Sequence, residues 1–502
     1  MKLLPMVLII PMYLNKNLSE FKMSELNYIY VSKFLKFSFD PKEVDLMANT
    51  VLIKSLTSTL LNTDKSLRPV PNIVNNWSNS IDFKEWDFYI KPSLYCEDGS
   101  EINNKHFVKT FNWLLKIYSK NSKNLPVFSK LVGWENFLIN ENSKIEGIKL
   151  LSNNGVRFSF SSPMDSGILN FLSIPQFAFY CESNFDLNGN WIKNKKFISS
   201  GEYKIKEVSK NLDKVVLIKR NKESNNQFEM INLYQVENVK YFELKEKNFI
   251  VIENSGNKNE IPNDLYIMEG AKNQLVALIL SPVKNNIFYS MSLRQSFKKK
   301  FQNWINTNEF KKSQYIKTST FYPENTLNFK PIESTLNLNT FKESSSINVV
   351  ASTGIPVDLV EYLLKGLKSI LPSNFNVNFE FVNKNNSEAL KNYYSNSFYD
   401  IRISNWVIES MTNWIIEMMF CSKIGINLPD PNQSISKLVK IQYEKPMEMS
   451  KYGEKFEQII SKEAVVIPLF HKGSIWVFSN NIDSSDVSPI FPVPYIENLK
   501  IK

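Results

Sequence analysis

The 502-residue chain is too long for a single hydrophobic core, because cores stop growing near about 250–300 residues, so two or three domains are expected. Its 43% hydrophobic and 22% charged residues are those of a soluble globular protein, and the net charge of +10 comes from lysines spread along the chain, with no basic run beyond the KKK at 298–300. No RNA-binding, zinc or helix-turn-helix signature accompanies that charge, so it reads as a solvated basic surface, and no nucleic-acid partner is expected.

Two histidines, His106 and His471, and three cysteines, Cys96, Cys181 and Cys421, lie far apart without CxxC or HxxxH spacing. No metal or cofactor is expected, and at most one disulfide can form. Glycine is scarce, at 14 residues, while Asn and Lys abound. Asn tolerates left-handed backbone better than other non-glycine residues and can take over turn positions.

The chain opens with "MKLLPMVLIIPMYLNKN", one positive charge before an apolar run from Leu3 to Leu14. That length fits the core of a signal peptide and is too short for a membrane span of about 20 residues. Residues 1–22 are expected to be a leader, which places the protein in the periplasm or outside the cell. Residues 26–95 predict strand, helix, strand, strand: "LNYIYVS" alternates, "EVDLMANTVLIKSLTSTLL" has helical spacing, and "EWDFYIKPSLY" alternates up to the turn "EDGS". "NKHFVKTFNWLLKIYS" carries Phe107, Phe111, Leu114 and Leu115 on one helical face. Hairpins are predicted around "SNNG" in "GIKLLSNNGVRFSF" and within "SGEYKIKEVSKNLDKVVLIKRN".

From Ile347 the pattern becomes β-α-β-α-β. "INVVAS" is a strand. "PVDLVEYLLKGLKSILP" is a helix with Pro356 near its start and Asp358 in its first turn, where the helix dipole favours it. "NVNFEFV", a short helix around Glu388–Tyr393 and "YDIRISNWV" follow. Such alternation predicts a mainly parallel sheet covered on both faces. Ligands of such sheets bind beyond the carboxyl ends of the strands, which points Trp406 and Glu409 toward a cleft. The end, "EQIISKEAVVIPLFHKGSIWVF", predicts helix, strand, turn, strand. No linker divides these stretches, so interleaved domains joined by short hinge strands are expected. No paired carboxylates with a supporting motif, no G-x-S-x-G, no Ser/His/Asp set and no phosphate-binding glycine loop occur, so an enzyme is not expected.

Seven segments, in order, resemble one family. "FDPKEVDLMANTVLIKSLTSTLLNTD", "VPNIVNNWS", "WDFYIKPSLYCEDGSEI" with Asp98-Gly99, "SSGEYKIKEVSKNLDKVVLIKRN" with Gly201, Tyr203, Lys204, Arg220 and Asn221, "LRQSF", the strand bearing Trp406, and "EAVVIPLF" are similar to the family 5 extracellular solute-binding proteins, the oligopeptide and dipeptide receptors of ABC importers.

The resemblance implies an α/β, two-lobed periplasmic-binding-protein type II fold in its three-domain variant. One lobe would comprise residues 23–62, 161–282 and 475–502, with a second domain inserted at 63–160, and the other lobe would be 283–474. It implies a monomer that closes on a peptide or similar amine-bearing solute and passes it to importer permease subunits; a degenerate member acting as a peptide sensor or chaperone is the alternative. The family's "GWxaD" segment falls on Asn405-Trp406-Val407-Ile408-Glu409. This implies Trp406 as the wall behind the ligand and Glu409, longer than the usual Asp, as the partner of its ammonium. The family's "EGL", whose backbone pairs with the peptide, falls on Ser58-Thr59-Leu60, which adds Thr59 and Leu60 to the expected site.

Overall fold

The computed structural model describes residues 24–31, 36–41, 47–64, 68–120, 126–140, 144–164, 166–193, 195–220, 227–244, 247–253, 261–270, 272, 274–284, 286–310, 312, 315–322, 346–352, 355–373, 375–382, 392–407, 416–421, 427–444, 447–488 and 493–502. The expected leader, most of the short helix near 388 and Glu409 lie outside the described residues.

A seven-stranded mixed sheet has the spatial order Tyr266–Glu269, Ile475–Phe478, Phe249–Glu253, Glu25–Val31, Met230–Val236, Lys214–Lys219, Tyr203–Val208. Glu25–Val31 lies at its centre, parallel to both neighbours. Its alternation sorts the two faces: Leu26, Tyr28 and Tyr30 enter one apolar core, Ile29 and Val31 another.

A four-stranded antiparallel sheet follows the order Val74–Asn79, Glu85–Ile90, Gly155–Ser159, Ile148–Leu151. Its last two strands are the hairpin predicted at "SNNG". Asn153 and Asn154 take φ of 55° and 58°, the paired left-handed conformation that a two-residue hairpin turn requires. The helix Asn104–Lys120 buries Phe107, Phe111, Leu114 and Leu115 as its spacing predicts. This unit shares one core with the seven-stranded sheet. Phe111 and Phe128 meet Phe177 at 6.4 and 5.1 Å, and Phe177 stacks on Phe171 at 3.8 Å. A disulfide between Cys96 and Cys181, Cα atoms 6.2 Å apart, ties the turn after Glu85–Ile90 to the segment that leads back into the first sheet.

The six-stranded sheet has the order Tyr315–Lys317, Val466–Lys472, Gln274–Leu280, Ile401–Val407, Ser346–Ser352, Asn376–Val382. The last three strands are parallel, as the β-α-β-α-β pattern predicts. The other pairings are antiparallel, so the sheet is mixed rather than mainly parallel. Gln274–Leu280 supplies much of that difference. Its sequence position suggested the first lobe, yet it pairs on both sides within this second sheet and all seven of its residues are buried. Leu275, Ala277 and Ile279 face the helices Ser434–Glu444 and Met449–Glu463; Val276, Leu278 and Leu280 face Met291–Thr307 and Val357–Ile370.

The two large sheets are joined where two neighbouring strands cross from one to the other. Tyr266–Glu269 continues toward Gln274–Leu280, and Val466–Lys472 continues into Ile475–Phe478. Glu269 pairs with Ile475 on one side of the crossing and Gln274 with Lys472 on the other. At the crossing Gly270 N–H donates to the Ser474 carbonyl at 2.8 Å. A Cβ on Gly473 would meet the Gly270 carbonyl oxygen at 2.7 Å, and one on Gly270 would meet Ser474 Oγ at 2.6 Å. Two of the scarce glycines are spent on letting these strands touch.

Candidate functional site

Trp406 is the next-to-last residue of Ile401–Val407, opposite Leu275 in the neighbouring strand, and 9% exposed. Its ring lies 5.8 Å from Phe321, which in turn meets Phe456 at 5.1 Å and Phe420 at 6.1 Å. The indole is thus set in an aromatic wall, and its buried N–H finds no acceptor among the described residues. A buried donor of that kind wants a partner. Asn405 is half-buried and, by strand alternation, projects to the opposite face from Trp406. The structure therefore separates two side chains that the motif placed together.

Phe321 is fixed from behind. Glu457, 1% exposed on Met449–Glu463, accepts the N–H of Phe321 at 3.1 Å and of Tyr322 at 2.7 Å. Burial pushes its carboxyl up to about 7, against the pull of those two N–H groups and of Lys298. Lys298, first of the KKK run expected on a solvated surface, is buried and donates to Ser461 at 3.0 Å. Burial pushes it down to about 8, with Glu457 opposing. His471 Nε2 lies 3.2 Å from the Thr320 carbonyl, and burial pushes the imidazole down to about 4, so it donates there as a neutral ring.

The signs of these two groups oppose each other. Native Glu457 keeps a proton that the unfolded chain releases at 4.5, so its contribution to stability falls as pH rises from 4.5 to about 7. Native His471 stays unprotonated where the unfolded chain binds a proton, so its contribution rises from pH about 4 to 6.5. Wild type is expected to lose stability relative to Glu457→Gln between pH 4.5 and 7, read from urea midpoints of both proteins. Parallel profiles would contradict the assignment.

On the first body, the helix Met47–Leu56 ends against the segment Ser199–Gly201. Leu56 O accepts the N–H of Ser200 and Gly201, each at 3.0 Å, and a Cβ on Gly201 would meet the Ser55 carbonyl oxygen at 2.6 Å. Thr59 and Leu60 follow, 3% and 0% exposed. The Ser58 carbonyl accepts from Phe179 N–H at 2.7 Å, Thr59 from Asn72 Nδ2 at 3.0 Å, and Leu60 from Val74 N–H at 3.3 Å. Backbone pairing with a ligand at this segment would have to share carbonyls that already accept from within the chain.

Thr59 also lines a polar pocket of about 80 Å³ with Lys54, Ser58, Asn62, Asn72, Glu202 and Glu497; Leu60 and Trp406 do not. Lys54 Nζ donates to Asn62 Oδ1 at 3.0 Å, pairs with Glu497 at 2.9 Å and lies 4.4 Å over the Tyr495 ring. A drug-sized ligand needs roughly 300–1,000 Å³, so this pocket is too small to hold one by itself. Its sequence signal was Lys54 itself, a charge inside the apolar run "VLIKSL". Among the described residues no three His, Cys, Asp or Glu side chains gather as metal ligands, and no helix is long and apolar enough to cross a membrane.

Residues 68–303 match the model of the bacterial extracellular solute-binding proteins, family 5 middle, which is the family the seven segments resemble. No curated protein matches in sequence. Among solved structures the fold is similar to Haemophilus influenzae OppA in complex with RPPGFSPFR, with TM-score 0.75 and 14% identity over 94% of this chain and 98% of that one. It is also similar to the Escherichia coli murein tripeptide binding protein MppA, with TM-score 0.73 and 12% identity over 95% and 98%. Helicobacter pylori DppA in complex with the peptide STSA gives TM-score 0.73 and 13% identity over 97% and 99%.

Proposed function

We propose that this chain, with its family 5 solute-binding sequence and fold, is an extracytoplasmic receptor that closes two lobes on a peptide or similar amine-bearing solute and delivers it to an ABC importer. The match over residues 68–303 carries the reading. The fold likeness along nearly the whole chain supports it, as does the two-strand crossing between the large sheets. Two similar structures hold peptides as different as RPPGFSPFR and STSA, so one scaffold accommodates ligands of very different length. The Cys96–Cys181 disulfide suits an oxidising compartment outside the cytoplasm, in keeping with the leader expected at residues 1–22. The domain division we adopt follows the sheets, with the second lobe beginning at the strand Gln274–Leu280 and ending at Lys472. We read the chain as a binder, not a catalyst.

In this reading Trp406 backs the ligand and Glu409 takes its ammonium, with Thr59 contributing from the facing lobe. A charge-assisted hydrogen bond in a buried site is worth roughly 1.5–3 kcal/mol, so Glu409→Gln is expected to weaken free-amine peptides by roughly 10- to 150-fold. N-acetylated versions of the same peptides should lose far less. Titration calorimetry on both sets reads the difference, and equal loss removes Glu409 from that role. A thermal-shift screen of a tripeptide mixture against free amino acids, sugars and metal ions tests the ligand class. If no peptide raises the melting temperature, the peptide reading falls.

A further inference from the structure

We infer that Lys130 and Glu417 form a latch through which the inserted four-stranded unit holds the two lobes together; this rests on the reading of the lobes as closing on a ligand. The Lys130 ammonium sits 3.3 Å from Glu417 Oε2, across 287 residues of sequence. Lys130 belongs to the unit that shares its core with the seven-stranded sheet, and Glu417 to the body built on the six-stranded sheet. The covalent path between those bodies runs through the crossing at Gly270 and Gly473, so swinging them apart there must break this pair.

Both ends are rigidly mounted. The Lys130 carbonyl accepts the Ser161 N–H at 2.8 Å and its hydroxyl at 3.2 Å, and the next residues are stitched to the same strand extension, Val132 N–H donating to Ser159 at 3.0 Å. Glu417 opens the π-helical turn Glu417–Cys421, a geometry often found at functional sites. The same turn sends Met419 and Phe420 into the apolar cluster that holds Trp406 and Phe321. The latch therefore grips the element that forms the wall of the candidate cleft. Its side chains are 13% and 20% exposed, so water screens the pair less than it would a surface pair. A single ion pair of this kind biases the lobes toward contact and still lets them part.

The test is small-angle scattering of the ligand-free protein at low salt. Lys130→Glu and Glu417→Lys should each shift the radius of gyration upward, and the charge-swapped double variant should return it to the wild-type value. High salt should enlarge wild type but not Lys130→Met. Unchanged dimensions in the single variants, or an enlargement that the double swap leaves in place, overturn the latch. No peptide enters this experiment, so its outcome is independent of whether the thermal-shift screen finds one.

Discussion

Replacing Arg294 with Met is expected to lower the unfolding free energy by roughly 3–5 kcal/mol, because it strands a buried acid and several carbonyls at once. Arg294, on Met291–Thr307, is 2% exposed. Its Nε donates to the Glu463 carbonyl at 2.8 Å and its Nη1 to the carbonyls of Phe288 and Tyr289, both at 2.9 Å. Its Nη2 lies 3.6 Å from the Glu463 carboxylate, itself 4% exposed. One guanidinium thus closes the end of Met449–Glu463, where Ala464 turns left-handed at φ 50°, and the loop before its own helix. Without it Glu463 keeps Asn432 and Ser434, at 2.6 and 3.2 Å, as neutral donors. Arg294→Lys should recover little, because an ammonium cannot reproduce a planar fork spread over four acceptors. Urea unfolding followed by fluorescence measures both variants, and a loss under about 1 kcal/mol for Arg294→Met would show that the site relaxes around its absence.

Removing the disulfide is expected to have a comparable effect. Cys96 and Cys181 are separated by 85 residues, and the loop-entropy relation assigns a crosslink of that span roughly 4–5 kcal/mol of stabilisation. Cys96→Ser/Cys181→Ser should unfold at markedly lower urea, and wild type under reducing conditions should approach the same midpoint. Cys421→Ser should match wild type in this comparison, since Cys421 is outside the disulfide. The aromatic seam between the inserted unit and the first sheet remains in the double variant, so the fold should persist at low temperature. A double variant as stable as wild type would mean that the seam alone holds the two together.

Several residues that matched the family pattern serve the scaffold. Gly201 is where the chain lies against a helix end. Arg220 donates to the carbonyls of Gly201 and Tyr95 at 2.8 and 2.7 Å, and Gly99 turns the "EDGS" loop at φ 84°. Arg294 closes a helix. Such contacts demand one residue type at one place, so they leave a readable trace. Strands and helices were legible for a related reason: the period of two in "NYIYV" and the helical stripe in "HFVKTFNWLL" each encode a buried face.

The candidate site left weaker traces. Lys54, Asn62 and Glu497 gather from the end of one helix, a short strand and the C-terminal tail, and no local period links them. Lys298 reads as a surface charge within the KKK run, since helical spacing alone does not say what packs over a given face. Asn405 and Trp406 look like one motif in sequence, yet adjacent strand residues point opposite ways. An apolar run such as Gln274–Leu280 does not declare which sheet it will join, and here it pairs on both sides within the six-stranded sheet.

The crossing at Gly270 and Gly473 gives the molecule an unusual ledger of ends. The chain leaves the seven-stranded sheet at one strand and comes back to it at the neighbouring strand, with Gly270 N–H and the Ser474 carbonyl 2.8 Å apart. About two hundred residues of chain are thus a single detour that begins and finishes at the same doorstep. A segment with adjoining ends can be shortened, exchanged or regrown in evolution without moving anything in the body that hosts it. The body built on the six-stranded sheet, which carries Trp406, is therefore the part of this architecture most free to change without disturbing its host.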